Sequence, residues 1–168
     1  MYFYPSMDCG THAAMTCYLA NKAKVPVGYI LDHGRSYFEV LDSIRNGLTS
    51  VMFDGSRLSY EENVMQTREA VKDVEGELGY VGSASNLNDF TDISGYTDPD
   101  QAVEFFQKTE IDMLAVAIGN AHGNYAQTPQ LDFKRLAEIR SKLDIPIALH
   151  GGTGIPGEQI KEAVRIGV

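Results

Sequence analysis

A chain of 168 residues has room for one domain and little for a second. Apolar residues make up 43% and charged residues 22%, enough apolar surface for a core, which excludes disorder as the dominant state. The 14 basic against 23 acidic residues give a net charge of −9 with no Lys/Arg run, a poor match for nucleic acid, whose phosphates need a basic face. No apolar stretch approaches the roughly 18–20 residues a bilayer requires, so no membrane partner is expected. The opening MYFYPSMDCG lacks the basic and apolar regions of a secretion signal. Cys9 and Cys17 are too few for a disulfide framework and lack metal-ligand spacing, which fits a reducing, cytoplasmic setting.

His12, in THAAM, lies at or near a helix start and reads as structural or surface. VPVGYILDHG (25–34) is the first of five short apolar runs, each ending in Gly or in a polar residue followed by Gly. Ser36 and Glu39 then have capping-box spacing ahead of Phe38, Val40, Leu41 and Ile44, and Gly47 is placed to stop that helix. SVMFDG (50–55) is the second run; Ser59 and Glu62 repeat the helix signal before Val64 and Ala70. Only Asp73 separates that pattern from VEGELG (74–79). Thr97 and Asp100, with Pro99 between, open a helix through Phe105 and Phe106. MLAVAIGNAHG (113–123) follows, and LDFKRLAEIRSKL (131–143) sets Leu131, Phe133, Leu136, Ile139 and Leu143 on one stripe. IPIALHGG (145–152) is the last run, and a final helix over roughly 157–166 follows Pro156. Near-continuous apolar runs alternating with helices predict an α/β fold with a parallel sheet. A doubly wound sheet and a (β/α) barrel both remain open on this pattern. A complete barrel takes about 250 residues, and five strands are what a piece of one would contain.

His33, His122 and His150 are each followed by glycine and each sit at the C-terminal end of an apolar run. In parallel α/β folds that edge binds ligands. Three imidazoles converging there would make a zinc set with a fourth position open; the alternative is histidines that only fill space or bond to loops. Asp32, beside His33, suits an acid/base group or an orienting partner. Adjacent strand residues face opposite ways, so both reach the mouth only if the strand end turns. Asp54 and Glu77 also end strands, and Glu75 points the same way as Glu77 but deeper. Each could equally be a buried carboxylate paired with a neighbouring strand. HGGTG (150–154), ahead of a helix, is a phosphate-cradle pattern, weak when taken alone.

Together LDHG (31–34), SVMFDGS (50–56), ENV…TREAV (62–71), VEGELG (74–79), YTDP (96–99), AVAIGNAHGNY (115–125), LDFKRLAEI (131–139) and IPIALHGGTGIP (145–156) closely resemble, in this order, the zinc-dependent class II ketose-bisphosphate aldolases. The resemblance covers nearly the whole chain. It implies a (β/α)8 TIM-type barrel and a carbohydrate-metabolism enzyme of the glycolytic kind. The implied reaction is reversible cleavage of a ketose bisphosphate to dihydroxyacetone phosphate and an aldehyde. By motif, His33, His122 and His150 would hold Zn2+, and Asp32 would handle the proton of the C4 hydroxyl. Glu77 matches a glutamate near an alternative or second metal position. Gly123, Gly151, Gly152 and Thr153 would hold the substrate phosphate and help place a monovalent cation.

The family carries two more strands before the equivalent of Met1 and one after Val168. The chain is therefore expected to be a copy truncated at both ends, an incomplete barrel of about five of eight strands. Unpaired edges would favour a homo-oligomer. The family's mobile loop carries a proton-exchanging glutamate; GYVGSASNLNDFTDISGYTD (79–98) has none, and Asp89 or Asp92 is one methylene shorter. A second reading is a catalytically inactive aldolase-like chain acting as an interaction or subunit protein. A third, a hydrolase using zinc-bound water, is disfavoured by the lack of an H-x-H strand and the presence of HGGTG.

Overall fold

The structure is a computed structural model describing residues 9–70, 74–83, 95–123, 125 and 127–168. Asp73, Asp89 and Asp92 lie outside the described residues, as does the opening segment 1–8. In chain order the elements are α1 (Cys9–Ala20), β1 (Ile30–Gly34), α2 (Tyr37–Arg45), β2 (Ser50–Phe53), α3 (Tyr60–Ala70), β3 (Val74–Leu78), the short β4 (Gly82–Ser83), α4 (Pro99–Thr109), β5 (Met113–Val116), the short β6 (Ala121–His122), α5 (Phe133–Lys142), β7 (Ile147–Ala148) and α6 (Gly157–Ile166).

β1, β2, β3, β5 and β7 form one parallel sheet in that spatial order, with a helix between each strand and the next. The order follows the chain without reversal. A doubly wound sheet reverses at a switch point, so the sequential order selects the barrel-type wall. β4 and β6, which follow β3 and β5 in the chain, pair in parallel as a separate two-stranded ladder.

Local chemistry sets the helix ends. Ser36 Oγ accepts the Glu39 N–H at 3.2 Å to open α2, and Gly47, at φ +88, follows its C-cap Asn46. Ser59 and Glu62 cap α3 reciprocally, at 3.1 and 3.3 Å. At α4 the cap falls one residue later than the sequence suggests: Asp98 accepts the N–H groups of Asp100 and Gln101, and Pro99 takes the first helical position. Thr97 is buried instead. Its hydroxyl donates to the Leu78 carbonyl and accepts the Ala117 N–H, bridging the ends of β3 and β5.

Three apolar runs exceed their strands. Val25 and Val27 are exposed beside Pro26, which has no N–H for a ladder, and β1 begins only at Ile30. The run 145–152 gives a two-residue β7, and 113–123 divides into β5 and β6.

Among the described residues the core has two clusters. The larger packs α4, α5 and α6 onto β3, β5 and β7 through Phe105, Leu114, Leu136, Ile139 and Ala163. The smaller joins β1 and β2 to their helices through Leu31, Val40, Val51, Phe53 and Ala70. No described helix is long and apolar enough to cross a membrane.

Candidate metal centre

Parallel strands bring their C-terminal ends to one rim. His33 lies in β1, His122 ends β6, and His150 follows β7 by two residues. A regular strand would send Asp32 and His33 to opposite faces. In β1 the register against β2 shifts between Leu31 and Gly34, and His33 adopts φ +58, a left-handed conformation rare for a residue with a Cβ. Both side chains thereby reach the rim. Asp32 Oδ1 stands 3.8 Å from His33 Nε2 and 3.5 Å from His150 Nδ1.

The three imidazoles converge. Ring centroids are 4.5 Å apart for His33–His122, 4.7 Å for His33–His150 and 5.9 Å for His122–His150. One nitrogen from each lies within 4.8 Å of the others. His12 sits in α1, outside this group.

Carboxylates hold two of the rings. Asp54 Oδ2 is 2.9 Å from His33 Nδ1, and its other oxygen accepts the Ser56 hydroxyl at 2.6 Å. Glu75 Oε1 is 2.6 Å from His150 Nε2. Glu77, 1% exposed, brings Oε2 to 3.4 Å from His33 Nδ1 and forms a second metal-ready group with His33 and Asp54. Asn63 of α3 secures that strand end by donating to the Glu77 carbonyl at 2.9 Å.

These neighbours shift the titrations. Burial lowers the His122 pKa, and the charges of His33 and His150 push the same way. Burial also works to lower His33 and His150. It is outweighed by the Asp54 hydrogen bond and Glu77 charge on His33, and by Glu75 on His150, so both are raised. Burial, aided by the Asp54 charge, pushes Glu77 up to about 7. For Asp54 burial is overcome by the hydrogen bonds of His33 and Ser56, which hold its carboxyl well below the usual carboxylate range.

The residues fit a cation. His33 Nε2, His122 Nε2 and Glu77 Oε2 are buried with no hydrogen-bond partner among the described residues. Buried polar atoms are nearly always paired. Two unpaired imidazole nitrogens, in a group of three histidines that can each offer one ligand atom, are a donor set a zinc ion satisfies.

Beside the histidines, Gly123 has φ +97 and Gly151 φ +66; a Cβ on Gly151 would collide with the Ala121 backbone. Gly152 and Thr153 are exposed in the loop before α6. That loop is not the helix terminus itself, because α6 starts at Gly157 behind Pro156 with no side-chain cap.

Two residues outside the sequence-predicted site, Asn120 and Tyr125, hold this rim together. Buried Asn120 accepts the Ile118 N–H and donates to the carbonyls of Val116 and His150. The Tyr125 hydroxyl accepts the Ala121 N–H and donates to the Gly151 carbonyl. Asn120 had a signal, since an Asn directly after Gly in a turn bonds its own backbone. Tyr125 had none.

The fold is thus a parallel barrel-type wall carrying a histidine-lined, metal-ready rim. The chain belongs to the class-II fructose-bisphosphate aldolase family, whose model matches residues 3–168. It is 42% identical over 157 residues to the protein YdjI of Escherichia coli K12, covering 89% of this chain and 56% of that protein. The crystal structure of the YdjI aldolase from the same organism superposes with a TM-score of 0.83 at 38% identity, covering 97% of this chain and 59% of that one. The fructose-bisphosphate aldolase (Fba) of Campylobacter jejuni gives a TM-score of 0.67 at 26% identity, covering 95% and 55%. The chain spans a little over half the length of these relatives.

Proposed function

We propose that this chain carries the metal-binding core of a zinc-dependent aldolase. The reaction is reversible cleavage of a ketose 1,6-bisphosphate, of the fructose or tagatose type, to dihydroxyacetone phosphate and an aldehyde. The observation that carries the reading is the convergence of His33, His122 and His150, with two buried Nε2 atoms unpartnered among the described residues. These three residues would hold the ion, and Glu77 flanks a deeper position beside His33 and Asp54. Zinc supplies Lewis-acid stabilisation of the negative charge that develops on the substrate when the C3–C4 bond breaks. Asp32, 44% exposed and next to both His33 and His150, takes and returns the proton of the C4 hydroxyl. Gly123, Gly151, Gly152 and Thr153 take the phosphate through backbone N–H groups, with a monovalent cation nearby. A homo-oligomer is the assembly proposed. A phosphorylated sugar substrate and a cytoplasmic, carbohydrate-metabolic role complete the proposal.

The test is release of dihydroxyacetone phosphate from fructose or tagatose 1,6-bisphosphate by the zinc-loaded chain. Turnover that disappears with a chelator, returns with zinc and is lost in Asp32→Asn supports the reading. Stoichiometric zinc without cleavage of either sugar would favour the second reading, a chain that keeps the metal site and serves as a subunit or interaction protein.

A further inference from the structure

Glu75 stands apart from the other site carboxylates. It is 6% exposed and belongs to neither metal-ready group, yet it makes one of the shortest polar contacts of the rim, 2.6 Å to His150 Nε2. A buried carboxylate is costly unless paired, and its partner lies just beyond β7, a strand that does not neighbour β3. β5 lies between β3 and β7. The register explains how the contact is made. Glu77 pairs with Ala115, and Ala115 with Ala148. Glu75 lies two residues before Glu77 and His150 two after Ala148, so the line from carboxylate to ring crosses a row where two of three side chains are single methyl groups. On β3 itself, Gly76 lets Phe105 and Ile111 pack closely on the other face of the strand.

We infer that Glu75 is a positioning residue that selects the tautomer of His150. By accepting a hydrogen bond from Nε2–H it leaves the Nδ1 lone pair facing the rim, where Asp32 stands 3.5 Å away. His33 receives the opposite instruction, because Asp54 engages its Nδ1 and leaves Nε2 toward the cluster. The two rings therefore present opposite nitrogens to one ion. The inference rests on the zinc reading of the site. Carboxylates that orient ligating histidines are worth 10–100-fold in metal affinity.

The experiment is zinc affinity by chelator competition for the unaltered chain, Glu75→Gln and Glu75→Ala, each checked for folding by circular dichroism. Long-range nitrogen–proton spectra of the zinc-loaded, unaltered chain read the ring tautomers directly, whatever the variants do. Glu75→Ala is expected to bind zinc about 10–100-fold more weakly. Glu75→Gln, which keeps an acceptor but loses the charge, falls between. The spectra are expected to show His150 protonated at Nε2 and His33 at Nδ1. Unchanged zinc affinity in folded Glu75→Ala, or His150 protonated at Nδ1, overturns the inference and leaves the zinc site standing. An unaltered chain that binds no zinc overturns the zinc reading itself, and this inference with it.

Discussion

Around β3, β5 and β7, helices α4 to α6 close over a continuous core in which Phe105, Leu114, Leu136 and Ile139 are fully out of solvent. Around β1 and β2 the buried cluster is small, and Met15, Tyr18, Leu19, Val25, Val27 and Ile30 stand exposed on α1, in the segment after it and at the start of β1. The site straddles this contrast. His122 and His150 come from the well-packed side, cross-linked by Asn120 and Tyr125. His33 comes from the thinly packed side, on a residue held at positive φ. An ion bound by all three histidines would clamp the weaker side to the stronger, and ligand binding to the folded state alone raises stability by mass action.

The contrast can be broken first through the core. Leu136→Ala should cost about 4–5 kcal/mol and Leu31→Ala about 2 kcal/mol, the two ends of the range for buried leucines, read by chemical denaturation. Equal costs would remove the distinction between the sides. Next, His33→Ala should weaken zinc binding by more than the roughly 100-fold that loss of an orienting carboxylate brings, and should abolish the stabilisation by zinc. Asn120→Ala leaves the Ile118 N–H and the His150 carbonyl short of a partner. It should cost about 1–3 kcal/mol while keeping every proposed ligand, as thermal melts with and without zinc would show.

The smallest effect is on pH. His33 and His150 are raised above 6.5, so zinc must displace their protons, and its affinity should climb as pH rises through and beyond 6.5. Without zinc the sign reverses. The stability contributed by His33 and His150 is fully present below 6.5 and is lost as pH rises through their folded values. Glu77, raised from 4.5 to about 7, adds a cost over that interval, and His122, lowered, opposes. The melting temperature of the zinc-free chain should therefore fall as pH rises above 6.5, while that of the zinc-loaded chain rises.

The sequence made the helices legible where capping chemistry is local: Ser36–Glu39, Ser59–Glu62 and the stripe of Leu136 and Ile139 all behave as their spacing predicts. It also made the three histidines legible, because parallel strands must end at one rim. Thr97 misled because its hydroxyl found a longer-range use between β3 and β5, leaving the cap to Asp98. Val25 and Val27 misled because apolar composition alone does not place a residue in a ladder that Pro26 interrupts. The turn that sends Asp32 and His33 to one side depends on a register shift that no residue type announces. The contact of Glu75 with His150 spans 75 residues of chain and depends on small side chains on the strand between them, which only the register reveals.

A single ion shared by His33, His122 and His150 is tested most directly by hydrogen exchange of the chain with and without one equivalent of zinc. Slower exchange is expected on both sides of the contrast, at 30–34 around His33 as well as at 120–123 and 150–154. Protection confined to one side, or none at either, would contradict the claim that His33, His122 and His150 share a single ion.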